Sequence, residues 1–170
     1  WRNFGLDTNE ETLADVLGRA GYRQRGIFGK WHLGHHHIKW HPLSRGFTRF
    51  LGHYNGAIDY FRLDREGERD WHSDFEPSSQ RGYSTNLIAD GAAAFISEAA
   101  KSEEPFFCYV PFNAPHSPFQ APQKFLDQYS HLAAEKGTKT AKGKKKNQRG
   151  RNPKQTLAAM ITCMDDGIGR

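Results

Sequence analysis

The sequence predicts an α/β fold, a sheet flanked by helices. Three observations support it. A capped amphipathic segment is followed at once by a short apolar run between glycines, and the same helix-then-strand order recurs after residue 84. Each apolar run then opens into a loop that carries a lysine or a histidine, the usual place for a ligand site at the carboxyl end of a strand.

Thr8-Asn-Glu-Glu11 reads as a capping box, and Leu13, Val16, Leu17 and Ala20 recur behind it at helical spacing until Gly21 stops the helix. Gly26-Ile-Phe-Gly29 then reads as a buried strand that enters a loop at Lys30. From Trp31 to Tyr83 no period is sustained, so long connections with short strands are expected there. Its many aromatic residues, among them Trp40, Tyr60 and Trp71, argue for order in that stretch. Ser84 or Thr85 caps a second helix that runs to Lys101, with Leu87, Ile88, Gly91, Phe95, Ile96 and Ala99 on one stripe. Pro105 to Phe112 reads as a second buried strand, and a loop bounded by prolines follows from Asn113 to Pro118. From Thr156 onward a last helix sets Leu157, Met160, Ile161, Met164 and Ile168 on one face.

The composition, 36% hydrophobic and 25% charged, suits a globular domain, and no run approaches the ~20 apolar residues of a membrane span. The net charge of +5 is local. Nine basic residues and no acidic one lie between Lys136 and Lys154, which leaves the rest of the chain at −4. That run has no aromatic residue for base stacking, so it reads as a solvated, mobile insertion over 136–154 and argues little for nucleic acid. Charge attraction to a polyanion stays open as a second reading. Cys108 and Cys163 lack CxxC spacing and sit among apolar neighbours, as free buried thiols do. The chain starts at Trp1 and ends at Arg170 within a helical pattern, so an internal piece of a longer protein is expected.

Two motifs carry chemistry. In Gly29-Lys-Trp-His-Leu-Gly34, Lys30 and His32 face one side if the segment is extended, a cation and an imidazole suited to an anionic group. By spacing alone, a surface lysine beside a histidine packed by Trp31 fits better, since isolated pairs rarely define a site. In Ala114-Pro-His-Ser-Pro118 two prolines stiffen the backbone around His116, a candidate general acid or a histidine satisfied in a turn. His35, His36 and His37 resemble a metal cluster, yet three adjacent residues converge poorly on one ion, and a polar loop facing substrate fits better, with His36 and Trp40 at the approach. Asp165 and Asp166 point about 100° apart on a helix, and Asp59 suits loop hydrogen bonding.

The order of these segments resembles the sulfatase family of the alkaline-phosphatase-like superfamily. Gly21-Tyr22, the Gly29 to Gly34 string, Arg45-Gly-Phe47, Phe50-Leu-Gly52, Gly56 to Tyr60, Tyr83-Ser-Thr85, Ala114 to Pro118 and Met164-Asp165 follow in the family's sequence. The resemblance implies a partial alkaline-phosphatase-like sheet, incomplete at both ends, with residues 1–170 as part of one sulfatase catalytic domain. It implies that Lys30 and His116 contact the sulfate, with His116 as acid for the leaving group, and that His32 serves a formylglycine nucleophile. It also implies a calcium ion held by Asp and Asn side chains, a sulfated small molecule or polysaccharide as partner, and a periplasmic, extracellular or lysosomal setting. Neither cysteine begins the Cys-x-Pro/Ala-x-Arg motif that formylglycine needs, so the modified cysteine and the calcium ligands are expected outside this chain. A related phosphoester or phosphonate hydrolase is the alternative enzyme.

Overall fold

The computed structural model describes residues 4–133 and 152–170. The basic insertion expected at 136–154 lies outside them except for its last three residues. Helix α1, Leu13–Arg19, leads into strand β1, Gln24–Lys30. Two turns of 3-10 helix, Ile38–Trp40 and Pro42–Ser44, cross to β2, Arg49–His53. Four short strands follow: β3 Asp64–Arg65, β4 Glu68–Arg69, β5 His72–Ser73 and β6 Glu76–Pro77. Helix α2, Ser84–Ala99, precedes β7, Phe106–Tyr109. Helices α3, Gln123–Gln128, α4, Ser130–Ala133, and α5, Pro153–Ile168, complete the described residues.

Five strands form one sheet in the order β6-β5-β2-β1-β7, and β3 pairs with β4 alone. The central trio β2-β1-β7 is parallel, with Ile27 opposite Phe50 and Tyr109. Because side chains alternate along a strand, Ile27, Phe50 and Phe107 go to one face with Trp31 and Phe47. Phe28, Leu51 and Cys108 go to the other, where Ile88 and Ala92 of α2 cover them. A third cluster joins α3 and α5 to Tyr60 and Tyr83. Among the described residues no helix is long and apolar enough to cross a membrane.

Parallel strands bring backbones close, and two glycines make that possible here. A Cβ on Gly52 would lie 1.9 Å from the Gly29 carbonyl oxygen. Gly29 itself has φ +133° and would place a Cβ 2.2 Å from Pro111 O.

The structure moves several expected boundaries. The capping box belongs to Thr12 and Asp15, whose side chains satisfy each other's backbone amides, and not to Thr8. Thr12 is also fixed by a bond from its hydroxyl to Arg45 O, 2.9 Å, a tertiary contact that Thr8 lacks. The apolar stripe of α1 is largely outward, with Leu13 61% exposed, and Ala14 is the buried residue of that helix. Strand β7 is half-buried because it lies at the edge of the sheet among the described residues. In α5 the inward face is Thr156, Ala159, Met160, Cys163 and Gly167, whereas Ile161 and Ile168 are exposed. Small residues win that face because α5 packs tightly on α2: a Cβ on Gly167 would lie 2.9 Å from Ala89 Cβ. Helix α5 starts three residues earlier than its apolar pattern, on an Asn152 cap whose side chain accepts from Lys154 N.

Candidate active site

Lys30 is the last residue of β1, and its amide donates to Pro111 O at 2.8 Å, which ties it to the segment after β7. Two residues later His32 takes φ +53°, a left-handed conformation that costs a residue with a Cβ about 1 kcal/mol or more. Its amide donates to Tyr54 O at 3.0 Å, and its ring lies against Gly56, where a Cβ would come within 2.5 Å of Cε1. The expected extended geometry is therefore replaced by a turn, yet Lys30 and His32 still line one cleft.

His116 arrives from the loop after β7. The buried Tyr60 hydroxyl lies 2.8 Å from both Asn113 O and His116 O and pins that loop from beneath. Nδ1 of His116 donates to Ser117 O at 2.7 Å, which leaves Nε2 without a hydrogen when the ring is neutral. His36 enters from the loop between β1 and the first 3-10 turn. Its ring lies 4.2 Å from His35, which stacks on Tyr54 at 5.7 Å and 5°.

Lys30, His32, His36 and His116 thus surround one cleft of about 820 Å³ at the carboxyl ends of β1 and β7. Among the described residues its lining includes Arg65 and no carboxylate, so the cleft is cationic in character. Burial first, then Lys30, Arg65 and His116 nearby, hold the His32 imidazole below its ordinary value of 6.5, and it is neutral at pH 7. Trp40 does not line this cleft. It packs under Gly5 and Gly34, and its carbonyl accepts from Trp31 Nε1 at 2.8 Å.

The other histidines of the His35 to His41 stretch serve turns. His37 Nδ1 accepts from Lys39 N and His41 Nδ1 from Leu43 N, each at 3.1 Å. Among the described residues no three His, Cys, Asp or Glu side chains are placed to hold a metal ion. Asp166 pairs with Arg170 at 3.1 Å, and Asp59 accepts from the amides of Phe61 and Arg62. Cys163 is buried and Cys108 half-buried, both free, and burial pushes each thiol up to about 11.

Two supporting residues escaped the sequence reading. Asp70 is buried and accepts from Tyr54 N, Asn55 N and Asn55 Nδ2 at 2.8 to 2.9 Å, with His72 Nε2 3.2 Å away. Although burial opposes it, these donors hold its carboxyl well below the usual range, so it is ionised. His53, in register with Lys30, donates from Nδ1 to Asn55 O at 2.8 Å, while its buried Nε2 has no partner. Together they fix the Tyr54 to Gly56 wall against which His32 rests. The Asp70 anchor leaves no local pattern in the sequence, since Tyr54 and Asn55 lie 16 and 15 residues before it.

The fold and cleft define an α/β domain with a lysine- and histidine-lined cleft at the ends of parallel strands. The sulfatase family model matches residues 2–170, and the chain belongs to that family. It is 31% identical to the N-acetylgalactosamine-6-sulfatase of Mus musculus over 134 residues, covering 72% of this chain and 25% of the relative. It is 34% identical to human (Homo sapiens) arylsulfatase G over 157 residues, covering 72% of this chain and 30% of the relative. The chain therefore spans about a quarter to a third of these relatives. Among solved structures, Ps i-CgsB in complex with k-i-k-neocarrahexaose superposes with a TM-score of 0.79 at 24% identity, over 99% of this chain and 37% of that one. A protein solved with its substrate D-glucosamine-2-N,6-O-disulfate gives 0.59 at 23% identity, over 76% and 24%.

Proposed function

We propose that the full-length protein hydrolyses a sulfate ester and that this chain supplies the sulfate-contacting and proton-handling side of its site. The observation that carries this is the convergence of Lys30, His32 and His116, from two strand ends, on a cleft that no carboxylate lines among the described residues. Lys30 offers a compact positive charge to sulfate oxygens. His116, with Nδ1 bound to Ser117 O, delivers a proton from Nε2 to the leaving oxygen when its ring is charged. His32, held neutral, accepts a proton from a group bound beside it. His36, exposed at the mouth, meets the rest of the substrate.

The calcium ion and formylglycine of this family do not fit the described residues. No three donors gather for a metal, and both thiols lie in apolar settings outside the required motif. We assign both to the remainder of the protein. A sulfated saccharide is the favoured substrate class, supported by the saccharides bound to the superposed structures.

Purified full-length protein offered 4-nitrophenyl sulfate and 4-nitrophenyl phosphate tests the reading. Faster release from the sulfate is expected. Release from the phosphate alone would make the protein a phosphoesterase.

A further inference from the structure

The β3–β4 hairpin is built rigidly for so small an element. Its two-residue loop, Glu66-Gly67, has φ +56° and +90°, the paired positive values of the tight turn that matches strand twist. Leu63 and Asp70, which flank it, are both buried. Arg69 donates to the carbonyls of Ser78 and Gln80, and Arg65 Nη1 to Ala57 O at 3.2 Å. The turn is thus braced from both strands.

The hairpin forms one wall of a second groove, of about 520 Å³, within the range of small-molecule sites. The opposite wall is the ladder of rings His36, His35, Tyr54 and His72, with Tyr54 and His72 4.1 Å apart. Burial, then Asp70, pushes the Tyr54 phenol up to about 12, so it is neutral. His35, His36, Tyr54, Asn55 and Arg65 line both spaces, so the groove continues the sulfate cleft.

Their charges differ in kind. The first cleft has cations and no carboxylate, whereas the groove sets Arg65 and Arg69 against Glu66, Glu68 and the ionised Asp70. Such a groove gives a second anion no net attraction. What it presents is alternating donors and acceptors beside polar-edged rings, which suits uncharged vicinal hydroxyls, each able to donate and to accept.

We infer that this groove is a subsite for the uncharged, hydroxyl-rich part of the substrate, gripped by Glu66 and Glu68 while the ester sulfate occupies the cleft beside it. The inference rests on the sulfatase reading above and adds the chemistry of what surrounds the sulfate. It makes the hairpin a specificity element, separate from the residues that handle the sulfate.

The test uses full-length protein, 4-nitrophenyl sulfate, and sulfated oligosaccharides from digests of carrageenan, chondroitin sulfate and heparan sulfate. At least one oligosaccharide is expected to exceed the aryl sulfate in kcat/KM. Glu66→Gln with Glu68→Gln, at exposed positions, should raise KM for that oligosaccharide about tenfold or more, as two hydrogen bonds that lose their charge assistance imply, and leave 4-nitrophenyl sulfate kinetics unchanged. Equal losses on both substrates, or an aryl sulfate turned over better than every oligosaccharide, would overturn the subsite while leaving the sulfatase reading intact. A lower KM in the double variant would show that the groove reads an anion and would equally overturn it. Turnover of no sulfate ester at all would remove the sulfatase reading and the subsite with it.

Discussion

At the scale of single residues, the side chains that line the cleft, Lys30 and His116 among them, are distinct from those that brace its wall, Asp70 and His53. Lys30→Ala and His116→Ala in the full-length protein should each lower kcat on 4-nitrophenyl sulfate about a hundredfold or more, the usual loss when a charge-stabilising or proton-donating group is removed. Unaltered steady-state kinetics would take them out of the site. His53 makes a different prediction. Burial pushes its imidazole from 6.5 down to about 4, so between those pH values the unfolded chain binds the proton more readily than the folded one. Stability is therefore lost as pH falls from about 6.5 to 4, by about 3 kcal/mol from this one group. Denaturant unfolding of the protein and of His53→Gln at pH 7 and pH 4.5 checks it: the variant should lose distinctly less on acidification. The histidine roles were only half legible in sequence. Lys30 and His116 stood out because each follows an apolar strand. His53 did not, because its burial depends on the sheet register that sets it beside Lys30.

At the scale of elements, the Tyr54 to Gly56 wall explains how a turn with a strained histidine is kept in place. Asp70→Ala would strand three donors on Tyr54 and Asn55 in a buried setting, at a cost of about 3 kcal/mol, read as a lower unfolding midpoint. Gly56→Ala should spare the fold more than the activity, because its methyl would displace the His32 ring rather than backbone. A kcat drop of about tenfold with a midpoint shift smaller than that of Asp70→Ala is the expected pattern. Sequence periodicity located α1, α2 and α5 well, and β1 and β7 within a few residues. It misassigned the buried face of α5, because hydrophobicity alone favours Ile161 and Ile168, whereas close packing on Ala89 selects Ala159, Cys163 and Gly167. The short strands β3 to β6 escaped it, since two residues are too few to show alternation.

At the scale of the whole molecule, charge is partitioned by region: a cationic cleft, a mixed groove, and the Lys136 to Lys154 run that holds nine basic residues. Deleting 136–151 from the full-length protein should leave the KM for 4-nitrophenyl sulfate unchanged, and the second reading, charge attraction to a polyanion, requires that the deletion also abolish retention on heparin near physiological salt. Unchanged retention would place polyanion affinity elsewhere. The sequence alone points to the α/β class, to three helices with long apolar periods, to two strands that open into the cleft, and to Lys30, His32 and His116 as candidates for its chemistry. These follow from local pattern, which propensity and capping translate directly into structure. Only the tertiary structure decided that these residues share one cleft, that His32 reaches it through a left-handed turn, and that Asp70, His53 and the hairpin from Asp64 to Arg69 build its walls. Those facts depend on strand register and on contacts between residues far apart in the chain, and a one-dimensional pattern does not record such contacts.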